Sequence, residues 1–268
     1  MAPTPRNHAK ARSAAGFQRG ENRSRTPAED GWIWGRHAVL AALANPRRTL
    51  FSLHVTRNAS AELPDGAEAR HEPPHQIASR LPDSAVHQGF AARVSALEAE
   101  PLSAVTDPTH GLLVVLDQIT DPQNVGALFR SASAFGARAV VMQDRKSPPL
   151  FGALCKAAVG TAESLAHVRV TNIADTLLKL REAGRTAIGL AGDSETSLAD
   201  AVARHSGPGL VLVMGAEDKG LRERVAKSCD VLARIPMRAD VESLNVSNAA
   251  AIALYEASRM DPRINPAD

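Results

Sequence analysis

From residue 111 onward, hydrophobic and polar positions alternate in two textures. Short unbroken apolar runs bounded by turn residues give way to longer stretches with a 3.6-residue period. "GLLVVLD", "ARAVVMQ", "AHVRV", "RTAIGLAGD", "GLVLVMGAE" and "VLARIPM" are the apolar runs. Runs of that length with no polar alternation are expected of parallel strands covered on both faces. Between them lie helical stretches, "NVGALFRSASAFG", "IADTLLKLREAG" and "LRERVAKSC", and a final "NAAAIALYEAS" that is apolar nearly all round. The repeated order of strand, helix, strand predicts a doubly wound parallel α/β domain over 111–262, with ligands beyond the carboxyl ends of the strands.

The first hundred residues follow another plan. Residues 1–30 have no apolar period and carry Arg6, Lys10, Arg12, Arg19, Arg23 and Arg25 against Glu21, Glu29 and Asp30. Such a segment buries too little to offset its ordering entropy and is expected to be a disordered basic tail. Order begins at "GWIWGRHAVLAALANP", where Gly35 leads into a short helix closed by Asn45-Pro46. "LFSLHV" and "VHQGFAARV" predict strands and "HQIASRL" a short helix, while 58–75 carries no pattern. These make a small α/β unit over 31–100, followed by a polar linker at 101–110.

Composition narrows the function classes. The 268 residues are 44% apolar and 22% charged, with a net charge of +2, too small to argue for nucleic acid by itself. Aromatics at 3% count against recognition by rows of stacked bases. Cys155 and Cys229 stand far apart without metal-ligand spacing and read as free thiols, so no metal is expected. No apolar run suits a secretory signal or a membrane span, which leads to the expectation of a cytoplasmic protein.

No GxGxxG follows a predicted strand, and "GAEDKGL" has Leu221 where a P-loop needs lysine, so a conventional nucleotide site is not expected. Three other segments stand out. In "LDQITDPQNVGALFRSASAFG", Asp121 is a helix cap and Pro122 a first-turn residue, with Val125, Leu128, Phe129 and Ala132 as the buried stripe. Asn124 and Arg130 fall off that stripe. They are six residues apart, about 240° round an ideal helix, so they converge only if Asn124 precedes the regular helix. In "VMGAEDKGL", Gly215 and Gly220 permit a tight turn around Glu217. In "RIPMRADVESLNVSNAAAIAL", four short polar residues within "SLNVSN" precede a helix that needs one cap.

Together these segments resemble the SpoU/TrmH family of RNA 2′-O-ribose methyltransferases. The family's three motifs read here as Asn124-x-Gly126-x-x-x-Arg130, Gly215-x-Glu217-x-x-Gly220-Leu221, and Ile235-Pro236-Met237 followed by Ser243-Leu244-Asn245-Val246-Ser247. The N-terminal unit, through "WGRHAVLAAL" and "VHQGFAARV", is similar to the substrate-binding domain of the family's 23S rRNA guanosine 2′-O-methyltransferases. Asp218-Lys219 departs from the smaller or acidic residues expected there.

The resemblance implies a SPOUT-type domain with a deep trefoil knot, which general connection rules would exclude, and a small N-terminal RNA-binding domain. It implies S-adenosylmethionine as cofactor, held by Gly215, Ile235 and Leu244 with Met237 nearby and Ala191-Gly192 as a further loop. It implies Arg130, Asn124, Glu217, Ser243 and Asn245 as the catalytic group. The reaction is attack of a ribose 2′-hydroxyl on the sulfonium methyl, in which alignment alone is worth roughly 7–11 kcal/mol. Two roles are open to Arg130: the base, or a cation gripping phosphate, the second being easier because a guanidinium loses its proton only above pH about 12. Ser247 or Asn248 would serve the helix cap, leaving Ser243 and Asn245 to face the ligand. Homodimers are implied, acting on 23S ribosomal RNA or a large-subunit precursor. Alternatives are a tRNA ribose methyltransferase of the same family, or a non-catalytic RNA-binding factor in ribosome assembly.

Overall fold

The computed structural model describes residues 30–205, 209–238, 240–241 and 243–259. The expected basic tail, Asp30 apart, lies outside these residues. The first unit contains β1 (Asp30–Trp34), α1 (Arg36–Ala44), β2 (Leu50–Val55), β3 (Arg70–His71), α2 (Pro74–Ala78) and β4 (Phe90–Ser95). Its sheet runs β1-β4-β2-β3, with β4 antiparallel to both neighbours and β3 parallel to β2. The strand expected from Val86 starts only at Phe90, because Gln88 (φ 55°) and Gly89 (φ 84°) make a left-handed turn.

The second unit contains β5 (Leu113–Leu116), α3 (Pro122–Ala134), β6 (Ala139–Gln143), α4 (Gly152–Ala158), β7 (Ala166–Val170) and α5 (Ile173–Glu182). It continues with β8 (Thr186–Leu190), α6 (Leu198–Arg204), β9 (Leu210–Met214), α7 (Glu223–Ser228), β10 (Val231–Ala233) and α8 (Val246–Ser258). The sheet is parallel throughout, in the order β10-β8-β9-β5-β6-β7. Both faces are covered. Val114, Leu116, Val140, Met142, Leu212 and Met214 join the layer of α3, α6 and α8, while Leu113, Val115, Val141, Val211 and Val213 join that of α5. Successive side chains on a strand point to opposite faces, so burial of both faces produces the unbroken apolar runs. Among the described residues no helix is long and apolar enough to cross a membrane.

The pattern did not predict β1, β3, α4 or α6. Phe151 gives α4 no side-chain cap, and β1 is fixed by pairing with β4 some sixty residues away. The two units share one core, in which Ile33, Val39, Leu53 and Val94 pack with Val125, Leu128 and Leu154. An ion pair spans them: Arg48, whose side chain is 0% exposed, lies 2.7 Å from Glu163. Residues 101–110, expected as a linker, form two short 3₁₀ turns over the sheet, with Val105 in the core. The buried Arg185 pins them, its guanidinium donating to the carbonyls of Thr106 (3.1 Å), Asp107 (2.6 Å) and Gly111 (2.8 Å).

Candidate active site

The strand order reverses between β5 and β9. The chain steps outward from β5 to β6 and β7, then returns across β5 to build β8, β9 and β10. At such a switch point the loops beyond the carboxyl ends part and leave a crevice. The loops after β5, β8, β9 and β10 lie at that end. The second and third motifs fall on the loops after β9 and β10 and the first turn of α8, and the first motif on the opening turns of α3, with Arg130 further along that helix.

The first loop ends in the helix cap expected from sequence, the Asp121 carboxylate accepting from the Gln123 N–H at 2.9 Å. Asn124 therefore sits inside the first turn of α3, not ahead of it, and is only 9% exposed. Its amide donates to Glu217 Oε1. Asn245 completes the group from the third motif, its Nδ2 donating to Glu217 Oε1 at 3.0 Å and to Asn124 Oδ1 at 3.1 Å. Three residues separated by 93 and 28 positions thus share one hydrogen-bonded cluster.

Asn245 is also the helix cap, Oδ1 accepting from the Ser247 N–H at 2.9 Å and from the Ser247 hydroxyl at 2.6 Å. The sequence assigned cap and site to different residues. The structure gives both to one side chain, because an amide has an acceptor end for the helix and a donor end for Glu217.

Arg130 does not join the cluster. It lies about 9 Å further along the same helix and on another face, exposed, with no hydrogen bond or ion pair to the described residues. Ser243 is exposed, two residues before Asn245, and Leu244 and Ile235 are half-buried. Met237 is 38% exposed. Ala191 is tied to the edge strand, its N–H donating to the Ala233 carbonyl at 3.0 Å, and a side chain added at Gly192 would meet nothing within 4 Å.

Gly215 has a reason other than ligand approach. A Cβ there would lie 2.2 Å from the Gly220 carbonyl carbon and 2.3 Å from the Leu221 nitrogen. The turn closes on itself, Ala216 and Gly220 exchanging backbone hydrogen bonds of 3.1 and 2.8 Å, and this presents Glu217 at its tip.

Sequence reasoning missed Asp117. It ends β5 at 0% exposure and accepts from the Arg222 backbone N–H (3.0 Å) and guanidinium Nε (2.8 Å). The pair anchors the Glu217 loop to the central strand. An acid closing an apolar strand was the visible signal, but its partner lies 105 residues away. Behind the site, burial above all pushes the Cys229 thiol up to about 12, with Asp230 and Asp117 adding to it, so it stays neutral.

Comparison with known proteins agrees with this architecture. Residues 111–255 match the model of the SpoU rRNA Methylase family, and residues 32–100 that of RNA 2′-O ribose methyltransferase substrate binding. The chain is 39% identical over 241 residues to the 23S rRNA (guanosine-2′-O-)-methyltransferase RlmB of Pseudomonas putida, covering 85% of this chain and 95% of that protein. With the protein of the same name from Pseudomonas syringae it shares 44% over 179 residues, covering 65% and 70%. A TrmH-family protein of known structure from Porphyromonas gingivalis matches with a TM-score of 0.69 at 29% identity, over 86% of this chain and 90% of that one. The SpoU methyltransferase AviRb of Streptomyces viridochromogenes, solved with AdoMet, shares the fold with a TM-score of 0.73 at 24% identity, over 89% and 92%. With a family model matched over more than half its length and relatives well above 30% identity, the chain belongs to the SpoU rRNA methylase family.

Proposed function

We propose that this protein methylates the ribose 2′-hydroxyl of a guanosine in 23S ribosomal RNA, free or in a large-subunit precursor, using S-adenosylmethionine. The relatives named for that reaction support the substrate. The observation that carries the reading is the convergence of Asn124, Glu217 and Asn245 at the switch point.

The residues present fit the cofactor. Ile235 and Leu244 offer half-buried apolar flanks for a flat base, the open space over Gly192 admits a ligand, and Ala191, Gly215 and Met237 lie on or beside loops after β8, β9 and β10, at the same end of the sheet. When bound, S-adenosylmethionine supplies an electrophilic methyl group. The chain's own residues supply position. Both amides of the cluster converge on Glu217 Oε1, which leaves Oε2 to accept the hydrogen of the ribose hydroxyl. Ser243, exposed two residues before Asn245, is within the same loop to orient that ribose. Arg130, exposed on a separate face, grips the RNA phosphate rather than taking the hydroxyl proton.

The trefoil knot belongs to this reading through the family resemblance; α8, which the chain reaches from the edge strand β10, packs against α3 and α6. A homodimer is supported by Ile252 and Tyr255, large apolar side chains left exposed on α8. Ribosomal RNA as substrate puts the protein in the cytoplasm. Tritiated methyl transfer to 23S rRNA from cells lacking the gene, with mass-spectrometric mapping of ribose methylation, tests the proposal. One 2′-O-methylguanosine restored by the protein is expected. Tight RNA binding without any transfer would refute it.

A further inference from the structure

A second crevice opens on the same edge of the parallel sheet, beyond β6 and β7. It encloses about 180 Å³ and is lined by Gln143, Asp144, Arg145, Lys146 and Thr171. That volume is below the roughly 300–1,000 Å³ of most ligand sites, so it takes one ring or one small group. β6 lies beside β5 in the sheet, so the crevice opens from strands next to the one that leads into α3 and Asn124.

The loop that forms it is held in shape from within. Ser147 Oγ accepts from the Gln143 backbone N–H at 3.1 Å, and Arg169 donates to the Pro148 carbonyl at 2.7 Å. Thr171 donates to Asp144 Oδ2 at 3.3 Å. On this fixed turn Arg145 and Lys146 are exposed, and neither has an ion-pair partner among the described residues. Gln143 is 7% exposed, and its side-chain oxygen is buried with no hydrogen bond. An unsatisfied buried carbonyl is costly, and such groups call for a binding role or a bound partner. Rotation about the soft terminal torsion exchanges the oxygen and nitrogen of the amide, so Gln143 can present either to a ligand.

We propose that this crevice receives the base of one nucleotide of the RNA strand other than the methyl acceptor, its edge on the Gln143 amide, while the phosphate of that nucleotide stays outside on the exposed Arg145 and Lys146. A cation pair at the rim selects phosphate. Asp144, which also lines the crevice, disfavours a second phosphate and accepts from a base N–H instead. A side-chain amide has the paired donor and acceptor that a base edge presents. Because the turn is pre-formed, binding orders little chain. The inference rests on the proposed action on RNA, and it makes the β6–β7 edge a register pin that fixes which ribose reaches Glu217.

Filter binding of in-vitro-transcribed 23S rRNA without cofactor, over a potassium chloride series, tests it. Arg145→Ala/Lys146→Ala is expected to weaken binding and to reduce the slope of log Kd against log salt by about 0.7, one phosphate of a single strand. Gln143→Leu is expected to weaken binding about five- to tenfold with the slope unchanged, while its melting temperature is held or raised because an unsatisfied carbonyl is gone. A purely structural glutamine would show the reverse, lower stability with unchanged affinity. The double variant changes only exposed side chains, so it decides the matter even if Gln143→Leu folds poorly. Wild-type affinity and slope in the double variant, or wild-type affinity in a folded Gln143→Leu, overturns the proposal, including in favour of a protein ligand. Methyl transfer measured alongside judges the proposed reaction separately, since the binding comparison uses no cofactor.

Discussion

Replacing Arg48 with methionine tests whether the two units are locked together. In the wild type its guanidinium reaches Glu163 through three contacts of 2.7, 3.1 and 3.1 Å. It also donates to the carbonyls of Ser95 (2.7 Å) and Leu150 (3.1 Å), and stands over the Phe151 ring at 5.6 Å. Arg48→Met strands the Glu163 carboxylate, side chain 5% exposed, with Asn45 as its remaining partner at 2.9 Å. Removing one member of a buried pair costs about 3–5 kcal/mol, against about 0–1 kcal/mol for an exposed one. For a chain of this size that is a fall in Tm of roughly 6–20 °C. Differential scanning calorimetry of the wild type, Arg48→Met, Glu163→Leu and the double variant measures it. The double variant should recover most of the loss, since neither charge is left alone. A single variant within about 1 kcal/mol of wild type, or a double variant no better than the worse single, would refute the lock.

Further outcomes follow from other sites. Burial first, then the charges of Arg169, Arg47 and Arg48, push His167 down to about 4 from 6.5. Between those values the unfolded chain binds a proton that the folded one refuses, so stability is full above pH 6.5 and falls as pH drops toward 4, by about 3 kcal/mol in all. Urea unfolding at several pH values should show a flatter acid limb for His167→Gln; parallel profiles would contradict this. Gly215→Ala forces a methyl into the Gly220-Leu221 backbone, costing about 1–3 kcal/mol in urea and weakening S-adenosylmethionine binding by calorimetry. Asn245→Ala loses both cap and cluster and should lower stability by about 1 kcal/mol and methyl transfer by about 100-fold. Asn245→Asp keeps the cap acceptor but not the donor, so activity should fall while more of the stability stays. Cys155 and Cys229 are both pushed up to about 12, chiefly by burial, so Ellman's reagent at pH 8 should titrate neither until urea is added.

The sequence alone determined the layers. Val114, Val141 and Val213 lie in runs with no polar break because strands buried on both faces tolerate none. Asp121 and Pro122 marked the start of α3 because capping is settled within a few residues. The family resemblance of the three motifs also pointed to Asn124, Glu217 and Asn245. What it could not give was their meeting. Convergence of Asn124 with Arg130 required Asn124 to precede the helix; it lies in the first turn and Arg130 stayed apart, while Asn245 proved to be the cap as well. The Asp117–Arg222 anchor, the Arg48–Glu163 lock and the Arg185 clamp on the expected linker left no local trace. Local patterns report what a residue does for its own helix or strand, within a few neighbours. Which distant side chain completes its hydrogen bonds is decided only when the strand order brings β5 and β9 side by side.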